Sequence, residues 1–319
     1  MGMYLDTGRV DVNTNRSYGT TPLNHAVSNG HEAVVKLLLA TGKCEVNLKN
    51  GEEWTPLRTV VESVINQMGI IQLLLATDNI EVNSKDARGQ TPISRASQLG
   101  YKDIGQLLLN TENVEADSKD VEGRRPLSWA CTHGNEAIVQ LLLSTGKVEV
   151  DLKDDYGMTP LSLAIQSECE PKALVQLLLD TEKVEPDSKD EKGQTPLSWV
   201  CQRGYKAVVQ LLLGTGKVEA DLKDNDGRTP FSWACRDGDE GEAIVQLLLN
   251  TGKVEPDSKD KNGRTPLSWA CRYGSEAVVQ LLLATEKVEI DSKDKSGRTP
   301  LSWATEAISE KRGCYPTSS

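Results

Sequence analysis

The chain has 319 residues and a single Phe, and its apolar content is carried by Leu, Val and Ala, which suits thin stacked layers better than one large core. Lys plus Arg total 36 against 47 Asp plus Glu, a net charge of −11, and this removes the basic footprint that nonspecific nucleic-acid binding needs. No apolar run approaches the roughly 20 residues that cross a bilayer, and the N-terminus lacks the basic and apolar regions of a secretory signal.

Thr-Pro, or once Arg-Pro, recurs at Pro22, Pro56, Pro92, Pro126, Pro160, Pro196, Pro230, Pro266 and Pro300, at intervals of 34 or 36 residues. Self-similarity at that period predicts a stacked-repeat architecture in which no unit buries its apolar face alone. In chain order, residues 1–15 read as the end of a truncated unit, because Tyr4 to Asn13 aligns with Leu39 to Asn47. Units then run over 16–49, 50–85, 86–119, 120–153, 154–189, 190–223, 224–259 and 260–293, with a partial unit at 294–304 and a polar, poorly ordered tail at 305–319. Solenoid ends need capping units, so the chain is expected to be a fragment of a longer protein or to cover something at its N-terminal end.

One unit, 260–293, shows the local reading. Asp260 and Gly263 open a turn that calls for positive φ. Thr265 caps a helix and Pro266 takes its first position, where a missing N–H costs nothing. Leu267, Trp269, Ala270 and Cys271 give this helix an apolar side, and Gly274 ends it. Ser275 to Leu283 forms a second helix, apolar on more than one face and therefore sandwiched. Thr285 to Lys293, with Val288 and Ile290 alternating, reads as an extended finger. Units two, five and seven carry two extra residues between their helices, as neutral drift at an exposed turn or as a binding loop. In unit two, Glu53 stands where Gly belongs and Trp54 precedes Thr-Pro.

Asp-x-x-Gly-Arg-Thr-Pro-Leu, the Gly closing helix one and Val-Val-x-Leu-Leu-Leu in helix two resemble the ankyrin repeat over residues 1 to about 305. The His of the family pattern after Thr-Pro-Leu is Ser here (Ser128, Ser162, Ser198, Ser232, Ser268, Ser302), or Asn24 in the first unit, which leaves a local hydrogen bond in reach. The Trp-Ala-Cys variant and the finger are similar to ankyrin arrays of filamentous-fungal proteins, which often form the C-terminal part of large NACHT-type NTPases. The resemblance implies an all-α solenoid of helix-turn-helix units with extended, β-hairpin-like fingers. It also implies a non-catalytic scaffold that binds a protein through its concave face, made of finger tips and the exposed side of helix one. The alternative is a regulatory or sensor array of a larger signalling protein.

Carried over by position, the partner-binding residues are Tyr18, Trp54, Arg88, Arg124, His133, Tyr156, Met158, Arg203, Arg228, Arg236, Arg264, Arg272, Tyr273 and Arg298. Aromatic and Arg side chains are what interface hot spots favour. The arginines cluster in the C-terminal half, where they form a stripe suited to an acidic or phosphorylated segment or simply pair with the Asp of a neighbouring turn. Trp129, Trp199, Trp233, Trp269 and Trp303 share one helix position and read as core, with an exposed aromatic ladder as the alternative.

Three scattered His, no Gly-rich phosphate loop and no metal-ligand spacing leave no catalytic or cofactor reading. Cys131, Cys201, Cys235 and Cys271 share one repeat position, on the order of 10 Å apart in stacked helix pairs and too far for disulfides. Reduced thiols predict the cytosol or nucleus, and the chain is expected to be a monomer with no metal, cofactor or membrane partner.

Overall fold

Thr-Pro starts helices for a chemical reason visible in the structure, a computed structural model describing residues 11–14, 19–63, 67–167, 171–236 and 239–313. Thr21, Thr55, Thr91, Thr159, Thr195, Thr229 and Thr265 hold extended backbone, and each hydroxyl accepts the N–H three residues on. Ser at that third position adds a hydroxyl pair, as between Thr229 Oγ1 and Ser232 Oγ at 3.1 Å. Arg125, where Thr is missing, makes no side-chain cap.

Two units of chain are distinct, residues 1–155 and 156–319. In the first, helix one of successive repeats is α1 (Pro22–Ser28), α3 (Pro56–Glu62), α5 (Pro92–Leu99) and α7 (Pro126–Thr132), and helix two is α2 (Glu32–Leu39), α4 (Met68–Leu75), α6 (Lys102–Leu109) and α8 (Glu136–Ser144). In the second, helix one is α9 (Pro160–Ile165), α11 (Pro196–Arg203), α13 (Pro230–Ala234), α15 (Pro266–Tyr273) and α17 (Pro300–Gly313). Its second helices are α10 (Lys172–Leu179), α12 (Lys206–Gly214), α14 (Asp239–Asn250) and α16 (Glu276–Ala284). Within each unit a helix packs on its partner and on its equivalents in the adjoining repeats. That makes two helical layers, with the core between them.

The residue after each Pro shows how strongly stacking governs burial. Leu23, Leu57, Leu161, Leu197 and Phe231 are fully buried, each worth about 2 kcal/mol relative to exposure. Leu301, the same position on α17, is 72% exposed, since no helix two follows it among the described residues. The polar tail expected from 305 instead continues α17 to Gly313. Two of the inter-helix insertions, at 64–66 and 168–170, and the start of the third, at 237–238, lie outside the described residues.

The extended fingers are not strands: none occurs among the described residues. Side chains take the bonds that a hairpin ladder would supply. Asp120 N donates to Arg124 O at 2.9 Å, while Asp120 Oδ1 accepts the N–H groups of Glu122 and Arg124, both at 2.9 Å. Asp86, Asp190, Asp224, Asp260 and Asp294 repeat the arrangement. One backbone bond then ties a turn to the next, such as Lys261 N to Asp226 O at 2.7 Å. Each finger is an aspartate-capped turn.

Candidate partner-binding face

The turn aspartate has a second oxygen, and it reaches helix one. Trp129 Nε1 donates to Asp120 Oδ2 at 2.8 Å, and Trp199, Trp233 and Trp303 do the same to Asp190, Asp224 and Asp294 at 3.1–3.2 Å. Trp129, Trp233, Trp269 and Trp303 are buried at 5–9% exposure, whereas Trp199 is half-buried. The indoles are thus largely core, and all but Trp269 are held edge-on by a carboxylate. Their remaining faces serve as platforms for guanidinium groups.

Two rows of arginine use those platforms. The row before Thr-Pro lies over its own repeat's Trp: Arg124 over Trp129 at 5.0 Å, Arg228 over Trp233 at 4.8 Å, Arg264 over Trp269 at 4.1 Å and Arg298 over Trp303 at 4.3 Å. These charges are also paired. Arg124 Nε meets Asp154 at 3.4 Å, Arg228 Nη2 meets Asp226 at 2.8 Å, Arg264 Nε meets Asp260 at 2.9 Å and Arg298 Nη1 meets Glu306 at 2.8 Å. Much of this row is therefore spent within the fold. Of the stripe read from Arg228, Arg264 and Arg298, the first two pair within their own turns and the third with Glu306 on α17.

The second row stands at the end of helix one. Arg236 sits over Trp233 (4.6 Å), Trp269 (5.2 Å) and Tyr273 (5.2 Å), and donates from Nη2 to Tyr273 Oη at 3.1 Å. Arg272 sits over Trp303 at 4.4 Å. Tyr273 stacks on Trp269 with ring centroids 6.1 Å apart and is 44% exposed. Among the described residues neither Arg236 nor Arg272 pairs with a carboxylate. Arg203, in the same row, is exposed and donates to Gln166 O at 3.2 Å.

The other predicted positions divide. Tyr156 is 51% exposed, and Arg88 and His133 are exposed, with His133 Nδ1 3.1 Å from Trp129 O. Trp54 is half-buried beneath Arg58 at 4.7 Å. Met158 is buried at 7% exposure, so it offers no tip: it occupies the place where arginine lies on the helix, and without a charge it has no reason to snorkel. Tyr18 lies outside the described residues. Sequence reasoning missed the Asp partners of the indoles, although these Asp and Trp recur nine residues apart at 120/129, 190/199, 224/233 and 294/303.

In units two and three, where Trp gives way to Thr59 and Arg95, an ion network replaces the indole. Arg58 Nε meets Asp86 Oδ2 at 3.2 Å, Arg58 Nη1 meets Glu62 at 2.9 Å, and Arg95 Nε donates to Glu62 at 2.7 Å. Burial pushes the Glu62 carboxyl up, and the bonds from Arg95 and Arg58 outweigh it, holding the group below its ordinary range.

Cys131, Cys201 and Cys235 are buried free thiols, and desolvation raises each far above the ordinary thiol range. They pack as small hydrophobes rather than nucleophiles. Among the described residues, no group of three His, Cys, Asp or Glu could hold a metal ion, and no helix is long and apolar enough to cross a membrane. A comparison with curated proteins finds no match. The family profile described as ankyrin repeats (3 copies) matches residues 3–86, 93–180, 168–253 and 238–313. With stacked helix pairs, aspartate-closed turns and this match over nearly the whole length, the chain belongs to the ankyrin-repeat family.

Proposed function

We propose that the chain is a non-catalytic scaffold that holds a protein partner by an acidic or phosphorylated segment on its concave face. Ankyrin repeats are in general protein–protein interaction modules and typically not catalytic. The observation that carries the reading is the cluster of Arg236, Arg272 and Tyr273, an aromatic and two guanidinium groups without a carboxylate partner among the described residues. Arginine held over an indole loses little further freedom on binding and keeps further donors for a carboxylate or phosphate. The arginines just before Thr-Pro contribute shape and rigidity, and Arg88, at the tip of its turn, is an exposed contact.

An array of acidic, phosphorylated and charge-scrambled peptides tests this against the wild type and an R236Q/R272Q double variant. Selective binding of acidic or phosphorylated peptides, weakened at least about tenfold in the variant with an unchanged melting temperature, is expected for two lost charge-assisted contacts. Equal binding of scrambled peptides overturns the reading. The alternative, a sensor array inside a larger signalling protein such as a NACHT-type NTPase, rests on the Trp-Ala-Cys and finger resemblance. A continuous upstream frame encoding an NTPase in the full-length transcript is its test.

A further inference from the structure

Asn13, Asn47 and Asn83 occupy one position in successive fingers and make one pair of bonds. Their Oδ1 atoms accept the backbone N–H of Glu45 (2.8 Å), Glu81 (2.9 Å) and Glu115 (2.9 Å) in the next finger. Their Nδ2 atoms donate to the carbonyls of Lys43 (3.0 Å), Asn79 (2.7 Å) and Asn113 (2.7 Å), two residues earlier in that same finger. An amide suits the place because it offers one acceptor and one donor.

From residue 117 onward the position carries Asp. The accepting half persists: Glu219 N donates to Asp187 Oδ2 at 2.8 Å, and the backbone N–H groups of Glu149, Glu255 and Glu289 serve Asp117, Asp221 and Asp257. The donating half is missing. Oδ1 of Asp117, Asp187, Asp221 and Asp257 is buried with no hydrogen-bond partner. By register, the carbonyls at the matching place are those of Lys147, Lys217, Lys253 and Lys287, which accept and cannot donate.

We propose that Asp117, Asp187, Asp221 and Asp257 are proton-operated staples between successive fingers, in which a proton on Oδ1 supplies the donor that asparagine supplies permanently. Each junction is then closed in acid and loosened at neutral pH. The surroundings favour the proton. Burial comes first at all four, and acidic neighbours add to it: Glu149 at Asp117, Glu219 and Glu185 at Asp187, Glu255 at Asp221, and Glu289 and Glu255 at Asp257. The accepted backbone N–H groups oppose it, as do Arg125, 3.7 Å from Asp117, and Lys189, Lys223 and Lys259 beside the other three, without reversing the direction. For an acid raised on folding, the stabilising contribution is complete below its unfolded value and is lost as pH rises through the folded one. This is the reverse of a salt-bridged carboxylate such as Glu62.

The test is the full chain carrying D187N/D221N/D257N, with the urea midpoint measured at about pH 7.5 and about pH 3.5, above and below the ordinary aspartate value. The triple variant is expected to unfold at higher urea than wild type at neutral pH, and the gain shrinks in acid, where the carboxyls already donate. The mirror variant N47D/N83D is expected to lose midpoint at neutral pH and recover part of the loss in acid. No gain at neutral pH, or a gain equal at both pH values, overturns the proposal. So does titration of the wild-type aspartate carboxyl carbons, followed by NMR, with all four midpoints at or below the ordinary aspartate value.

Discussion

Trp129 Nε1 donates to Asp120 Oδ2 at 2.8 Å, across nine residues of chain, while Asp120 Oδ1 closes its own turn. One buried carboxylate thus fixes the turn and anchors the helix that follows it. Asp120→Asn keeps the turn acceptor but turns an amide N–H toward the indole N–H. The loss of a charge-assisted bond in a buried site is expected to cost about 1–3 kcal/mol, measured as a fall in urea midpoint. A double-mutant cycle with Trp129→Phe should return most of that cost as coupling. Additive losses would show that the two groups do not act on each other.

Trp269 provides an internal comparison. Arg264 Nε takes Asp260 Oδ2 at 2.9 Å, and Trp269 Nε1 is left buried without a partner. Replacing the indole by phenyl removes a bonded donor at Trp129 and an unsatisfied one at Trp269. Trp129→Phe is therefore expected to destabilise more than Trp269→Phe by about 1 kcal/mol or more. Equal losses would mean that ring volume alone sets the cost at both sites.

Where the indole is absent, the ion network takes over its place. Arg58 and Asp86 each leave 4% of their side chains exposed. Arg58→Ala strands Asp86 as a buried charge and is expected to cost about 3–5 kcal/mol. Arg58→Met with Asp86→Asn removes both charges while keeping the oxygen that accepts the turn's N–H groups, and should recover much of that loss. Glu62 adds a pH signature. Its folded value lies below the unfolded one, so its contribution is present above the unfolded value and is lost as pH falls through the folded value. Glu62→Gln should accordingly make the stability of residues 1–155 less sensitive to acid, read by thermal melts across that range.

Legibility followed the range of the interaction. A cap bond spans three residues and a helix stop needs a residue with free φ, so Thr-Pro and the closing glycines were readable from one repeat. The concave candidates were readable as positions but not as roles. Arg264 and Arg272 sit eight residues apart with the same side chain, yet one is braced by Asp260 while the other pairs with no carboxylate among the described residues. That difference depends on which carboxylate the turn swings into reach. The fingers were misread for a related reason: the Val and Ile alternation imitates a strand, but the Asp side chain captures the N–H groups a ladder would use.

Backbone strain yields the last prediction. Glu53, which stands in a glycine position of the turn, has φ 62°, and Glu182 and Glu286 past the end of helix two have φ 56°. Their counterparts after helix two include Gly42, Gly146, Gly216 and Gly252, with φ of 63–69° and nothing within 4 Å of where a Cβ would stand. The site is open, so only the left-handed backbone opposes a side chain, at about 1–2 kcal/mol. Glycine also enlarges the unfolded ensemble, offsetting about 0.5–1 kcal/mol of that relief. Glu182→Gly and Glu286→Gly are each expected to stabilise by about 0.5 kcal/mol, and Gly216→Ala to destabilise by a similar amount. Glu53→Gly should gain likewise, because its pairing with Lys49 at 3.5 Å is a surface contact of little worth. Urea midpoints that fall for the three glycine variants would show that these glutamates hold their turns by contacts stronger than the strain they bear.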